Sequence, residues 1–197
     1  MIRTRVALLA LFATLATRAL AQTPPNPPPA APAAPATPTP PPPTGDAAQV
    51  ISVLEHLCIP AIGGTPADKL ASQLGMRKNR DDDLVLALAS PKRIAVTPPN
   101  ASNPTVCTLT VLYDIGGDGP IYDALNNWAL AHPNPYVQAR AHEASQVGGE
   151  SHITSTWSAV EADGAEGLVF IQARTAAGKP LTFRADQATI LFSIRPN

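Results

Sequence analysis

Charge, aromatic rings, thiols and long apolar runs are all scarce in these 197 residues. Charged side chains make up 15% of the chain, 14 basic against 15 acidic, and no basic stripe gathers the lysines and arginines. This argues against nucleic acid or an anionic membrane as partner, because both are held by concentrated positive charge. No apolar stretch reaches the roughly 18 residues that a membrane-spanning helix needs. Catalytic signatures are missing as well. The chain has no G-x-S-x-G elbow, no S-x-x-K and no H-E-x-x-H, and it lacks the G-x-G-x-x-G and P-loop spacings that cradle phosphate.

The amino terminus is rich in information. Arg3 and Arg5 give a basic start, residues 6–16 form an apolar stretch of eleven, and Ala19-Leu20-Ala21 places small residues before a cut at Gln22. That is the layout of a cleaved secretory signal of bacterial type. The first cysteine is Cys58, so the new amino terminus carries no lipid-modified cysteine. The expected product is soluble after cleavage, in the periplasm or secreted. Loss of Arg3, Arg5 and Arg18 leaves 11 basic against 15 acidic residues, a net charge of −4 with neutral histidines.

Residues 22–45 hold 12 of the 23 prolines. Proline fixes φ and removes the backbone donor, so this segment is expected as a disordered or polyproline II linker. The run from Thr23 to Pro43 would span about 65 Å at the polyproline rise. Residues 46–197 then have the size of one domain.

Within that domain, Val50, Val53, Leu54 and Leu57 recur at helical spacing over Ala47–Leu57, and Pro60 with Gly63-Gly64 is expected to end the helix. Thr65 reads as an N-cap with Pro66 at N1, opening a short helix that Gly75 closes. Asp81-Asp82-Asp83 precedes LVLALA, which reads as a short helix or a buried strand. Arg93–Thr97 and Thr105–Tyr113 read as strands, and Ile121–Ala131 as a helix with Ile121, Leu125 and Trp128 on one stripe. Four strand-like runs follow at 136–146, 151–161, 167–175 and 181–194, the last breaking near Ala185-Asp186. VGGE, ADGAE and AAGKP are the turns between them. The predicted fold class is α+β: short N-terminal helices packed on an antiparallel sheet, a C-terminal β-meander and one disulfide.

Cys58 ends the first helix and Cys107 lies in the strand TVCTLTV. Two cysteines in an exported chain pair as a rule, and here the bond would pin helix to sheet. No C-x-x-C pair supports a redox role. A helix ending in cysteine, a helix closing on glycine, a strand with the second cysteine and a helix with tryptophan are together similar to small exported proteins of alphaproteobacteria, over residues 47–131. The resemblance implies a fold and an exported address, and brings no activity and no site residues.

The chemistry-bearing residues do not add up to a motif. His132, His142 and His152 are evenly spaced. A hairpin turning symmetrically at Gly148-Gly149 sets His142 against Ser155 and His152 against Ser145, on opposite faces. The apolar alternation of Val137, Ala139, Ala141, Ile153 and Trp157 instead asks for a register that puts both histidines on one polar face with Gln138, Arg140, Thr154 and Thr156. His56 reads as a helix-edge residue. Asp81-Asp82-Asp83 is balanced by Arg77, Lys78 and Arg80 and reads as a solvated start to a helix. The loop from Asp114 through Asp118 resembles a calcium loop in composition only, with Gly116 and Leu125 where oxygen ligands belong. Trp128 and Trp157 read as core. Catalytic, cofactor and metal residues are thus expected to number none, and Cys58 with Cys107 is the one structural pair.

Three function classes remain: a non-enzymatic envelope module that binds an envelope protein or cell-wall component, an accessory factor for another exported protein, and a small hydrolase assembled only in three dimensions.

Overall fold

The computed structural model describes residues 41–161 and 164–196. The signal segment 1–21, the linker as far as residue 40 and the first two residues of the ADGAE turn lie outside the described residues. Among the described residues the chain forms three helices and one eight-stranded antiparallel sheet, an α+β fold.

Helix α1 begins as Gly45–Val53, widens to a π-helical turn over Leu54–Cys58 and finishes as Ile59–Ile62. Val50, Val53, Leu54 and Leu57 are all fully buried, as the periodicity requires. Of the residues expected to end this helix, Gly63 does so as the C-cap, whereas Pro60 lies inside the last turn. A π-turn shifts hydrogen bonding from the fourth to the fifth residue, and the wider turn leaves room for a ring that cannot donate.

Helix α2, Ala67–Gln73, starts one residue later than the sequence suggested. Pro66 is its N-cap, no side chain caps it, and the Pro66 carbonyl accepts from Lys69 and Leu70. Gly75 does close it. With φ of +71°, Gly75 lets the Met76 N–H reach the Ala71 carbonyl at 2.9 Å, and Met76 is buried beside it.

The strands are β1 Arg77–Lys78, β2 Leu84–Ala87, β3 Arg93–Thr97, β4 Val106–Tyr113, β5 Val137–Val147, β6 Glu150–Glu161, β7 Gly164–Thr175 and β8 Asp186–Pro196. The third helix, α3 Asp118–Ala131, connects β4 to β5. The spatial order is β1-β2-β3-β4-β8-β7-β6-β5. The chain therefore builds four strands, crosses with α3 to the far edge and returns strand by strand until β8 pairs with β4.

Alternation gives the sheet a covered face. Ile94 and Val96, then Cys107, Leu109 and Val111, lie across the registers from Ala188, Ile190 and Phe192, and these in turn from Leu168 and Phe170. Trp157 extends the row on β6 and donates to Asn126 Oδ1 of α3 at 3.0 Å. Trp128, on the inner stripe of α3, meets Phe192 edge-on at 6.1 Å and donates to Glu55 Oε1 at 3.1 Å. No helix of the described residues is long and apolar enough to cross a membrane.

Cys58 and Cys107 form the disulfide, with 5.5 Å between their Cα atoms, and both are fully buried. The bond ties the π-turn of α1 to β4 and closes a separation of 49 residues. Replacing both cysteines (Cys58→Ala with Cys107→Ala) is expected to lower the unfolding free energy by up to about 4 kcal/mol in urea denaturation, and a loss below about 1 kcal/mol would contradict the pinning role.

Candidate functional site

One end of the sheet gathers most of the polar chemistry. The C-terminal ends of β4, β5 and β7 meet the N-terminal ends of β6 and β8 there, as the pairs Tyr113↔Asp186, Val147↔Glu150 and Arg174↔Ser151 establish. Helix α3 starts at the same end, because Asp118 follows β4 by only four residues. The loops at this end include the Asp114–Gly117 turn, the segment between β7 and β8, the β2–β3 connection that carries Lys92 and the two-residue turn Gly148-Gly149. Both glycines of that turn have positive φ, the geometry that matches a hairpin's twist. The Ala176 N–H donates to the Gly149 carbonyl at 3.1 Å and joins two of the loops.

Asp186 organises the end. Its side chain is 1% exposed, and its Oδ2 accepts the Gly116 backbone N–H at 2.8 Å and pairs with Arg174 Nη2. Its Oδ1 is buried with no hydrogen-bond partner among the described residues. A buried carboxylate needs such donors to offset its lost hydration. The turn after β4, the end of β7 and the start of β8 thus converge on one carboxylate.

Tyr113 faces Asp186 across the register and is buried. Burial, and then the charges of Asp118 and Asp186, push its hydroxyl well above the ordinary 10.0, while Arg174 pulls the other way. Nearby, Lys92 Nζ bridges Asp46 at 2.7 Å and Asp114 at 3.0 Å. The hydrogen bond to Asp46, foremost, and that to Asp114 hold its ammonium above the usual lysine value.

Between α3 and the covered face lies a cleft of about 150 Å³, lined by Asp118, Ser151, Ile153, Gln172 and Arg174. Arg174 keeps 39% of its side chain exposed. Ile153 lines the cleft, and Ile115, Val147 and Phe183 belong to the loops and strand ends at the same end of the sheet; the four are among the six large apolar side chains exposed among the described residues. Phe183 is 82% exposed, and the Arg184 guanidinium lies 4.7 Å above its ring. Two wider hollows, of about 380 and 400 Å³, lie where Pro41–Pro43 run beside α1 and α3. Glu55, on one wall of these, already accepts from Trp128.

The residues singled out in the sequence disperse. The β5–β6 register at the turn is the symmetric one, Ser145↔His152, and not the one the apolar pattern asked for. Two bulges, between Gln138 and Arg140 and between Arg140 and Glu143, each shift the phase by one residue: the pair Arg140↔Thr156 takes the phase the apolar pattern asked for, and beyond it Trp157 again faces Gln138. The histidines consequently take opposite sides. The His142 ring packs at a tilt against Tyr122 of α3 at 4.4 Å, and the His142 backbone N–H donates to Ser155 Oγ, whereas His152 meets Glu150 at 3.1 Å. Gln138 also turns to the helical side and donates to the Tyr122 hydroxyl at 2.9 Å. His132 sits between the rings of Trp128 and Tyr136, and His56 is on the exposed edge of the π-turn. Asp81-Asp82-Asp83 forms the turn between β1 and β2 rather than the start of a helix. Asn79 Oδ1 accepts the N–H groups of Asp81 and Asp83, and Lys78 pairs with Asp82 at 3.2 Å.

Sequence reasoning passed over Arg174, Asp186 and Tyr113. The available signal was the charged Asp186 heading the otherwise apolar run ATILFSI, at the point already read as a strand break. No protein-family model, curated protein or solved structure matches the chain.

Raised Tyr113 ionisation fixes a pH dependence. The unfolded state releases this proton near the ordinary 10.0 while the folded state retains it, so folded protein binds more protons above that pH and stability falls as pH rises. Urea denaturation above about pH 10 should show this loss, at a slope of up to about 1.4 kcal/mol per pH unit. Tyr113→Phe should flatten that slope, and an unchanged slope would assign it to another group.

Proposed function

We propose that the chain is an exported, non-enzymatic binding module of the cell envelope, carried on a proline-rich spacer, and that it binds through the loop end of its sheet. The observation that carries this reading is that Ile115, Val147, Ile153 and Phe183, all exposed, fall at the one end of the sheet that also holds a polar cleft, with Ile153 in its lining. Exposed apolar side chains beside a polar depression are the composition of a contact surface. The formed disulfide supports an oxidising compartment, in line with the signal-like amino terminus and the resemblance to exported alphaproteobacterial proteins. The partner class is an envelope protein or a cell-wall component.

An accessory factor acting by strand addition would use the β5 edge, where all eleven residues are exposed. Two bulges and a positive φ at His142 break that edge, which are devices that resist strand addition. The loop end is therefore the favoured surface.

A photo-crosslinking residue placed at Phe183 or Ile115 should capture a defined envelope component in intact cells. The same probe at Leu130, exposed near the opposite end of α3, should not. Equal capture from both ends, or capture only from Leu130, would overturn the assignment.

A further inference from the structure

We propose that the cleft at Arg174 binds the zwitterion of a small free α-amino acid, with its carboxylate on the guanidinium and its ammonium on Asp118. The proposal rests on the reading of the loop end as the binding end and supplies a ligand class for it.

Four of the cleft residues form one square of the sheet. Ser151 is paired with Arg174 and Ile153 with Gln172 on adjacent strands, so all four side chains project from the covered face. Asp118, in the first turn of α3, completes the lining. The square is rigid because its strands are interior to the ladder.

Charge selects the ligand. Arginine carries five N–H donors in a fixed fork. In Arg174 one nitrogen, Nη2, is committed to Asp186, and no other side-chain acceptor among the described residues takes the remainder. The buried Asp186 holds the guanidinium in place, and a fixed guanidinium edge matches a carboxylate bidentately. Asp118 has no ion pair or hydrogen bond to a side chain among the described residues, and it stands in the first turn of α3. A simple anion in this cleft is repelled by Asp118 and Asp186, and a simple cation by Arg174. A molecule bearing both charges on one carbon satisfies both walls. Ser151 and Gln172 supply further hydrogen-bonding groups, and Ile153 offers a single apolar surface for a short side chain. The volume of about 150 Å³ lies below that of drug-sized sites and keeps the ligand small.

The test is titration of the isotope-labelled mature chain, followed by its backbone amide signals, with L-alanine, propionate and ethylamine in turn. Alanine should shift Ser151, Ile153, Gln172 and Arg174 saturably, and each singly charged analogue should bind about tenfold more weakly or worse. Asp118→Asn should bring alanine down to the level of propionate without lowering the melting temperature. Absence of saturable shifts at these residues, propionate or ethylamine binding as tightly as alanine, or an Asp118→Asn variant that is folded and binds alanine normally would each overturn the proposal. Crosslinking from Phe183 would still report on the binding end in those cases, so the two readings fail separately.

Discussion

Strand β8, the last in the chain, lies between β4 and β7 and joins two antiparallel ladders into one sheet. Eight residue pairs run along its contact with β4, from Val106↔Ser193 to Tyr113↔Asp186. The apolar half of that ladder, Leu109 against Ile190 and Cys107 against Phe192, is the floor on which the helices rest. The disulfide fastens α1 to the same strand, β4. Without this pairing neither half has a complete core, because the first four strands and the returning meander would each expose one apolar edge.

The polar end follows from the same ladder. Its last pair sets Asp186 beside Tyr113, and from there the carboxylate reaches the Gly116 amide and the Arg174 guanidinium. A buried carboxylate is worth little as a source of net stability, since its desolvation offsets most of the gain. Its effect is positional: three segments distant in sequence are held in one arrangement, and Arg174 is presented to a cleft in a fixed orientation. Lys92 performs a comparable task nearby by tying Asp46 of α1 to Asp114 after β4.

Much of the architecture was legible in local patterns. The burial of Val50, Val53, Leu54 and Leu57, the strand Arg93–Thr97 and the glycine closure at Gly75 follow from periodicity and backbone freedom. The failures have physical causes. Pro60 is tolerated because of a π-turn that nothing in the local composition announces. Asp81-Asp82-Asp83 suits a helix start electrostatically, yet Asn79 uses its side chain to fold the segment into a turn and tertiary pairing makes LVLA a strand. The β5–β6 register could not be had from alternation alone, since two bulges change the phase within one strand. Arg174 and Asp186 are twelve residues apart and separated by a loop, so their contact exists only once β7 and β8 pair.

The functional reading depends on the loop end being a rigid, prearranged surface rather than a set of independent loops. Hydrogen exchange at the Gly116 amide tests this most directly, because that amide lies in an exposed, glycine-rich turn and is held only by the buried Asp186 carboxylate. If Asp186 organises the end, Gly116 exchanges as slowly as the amides of β4 and β8, through opening of the sheet. Exchange of Gly116 at the rate of an unstructured loop, with β4 and β8 still protected, would contradict it.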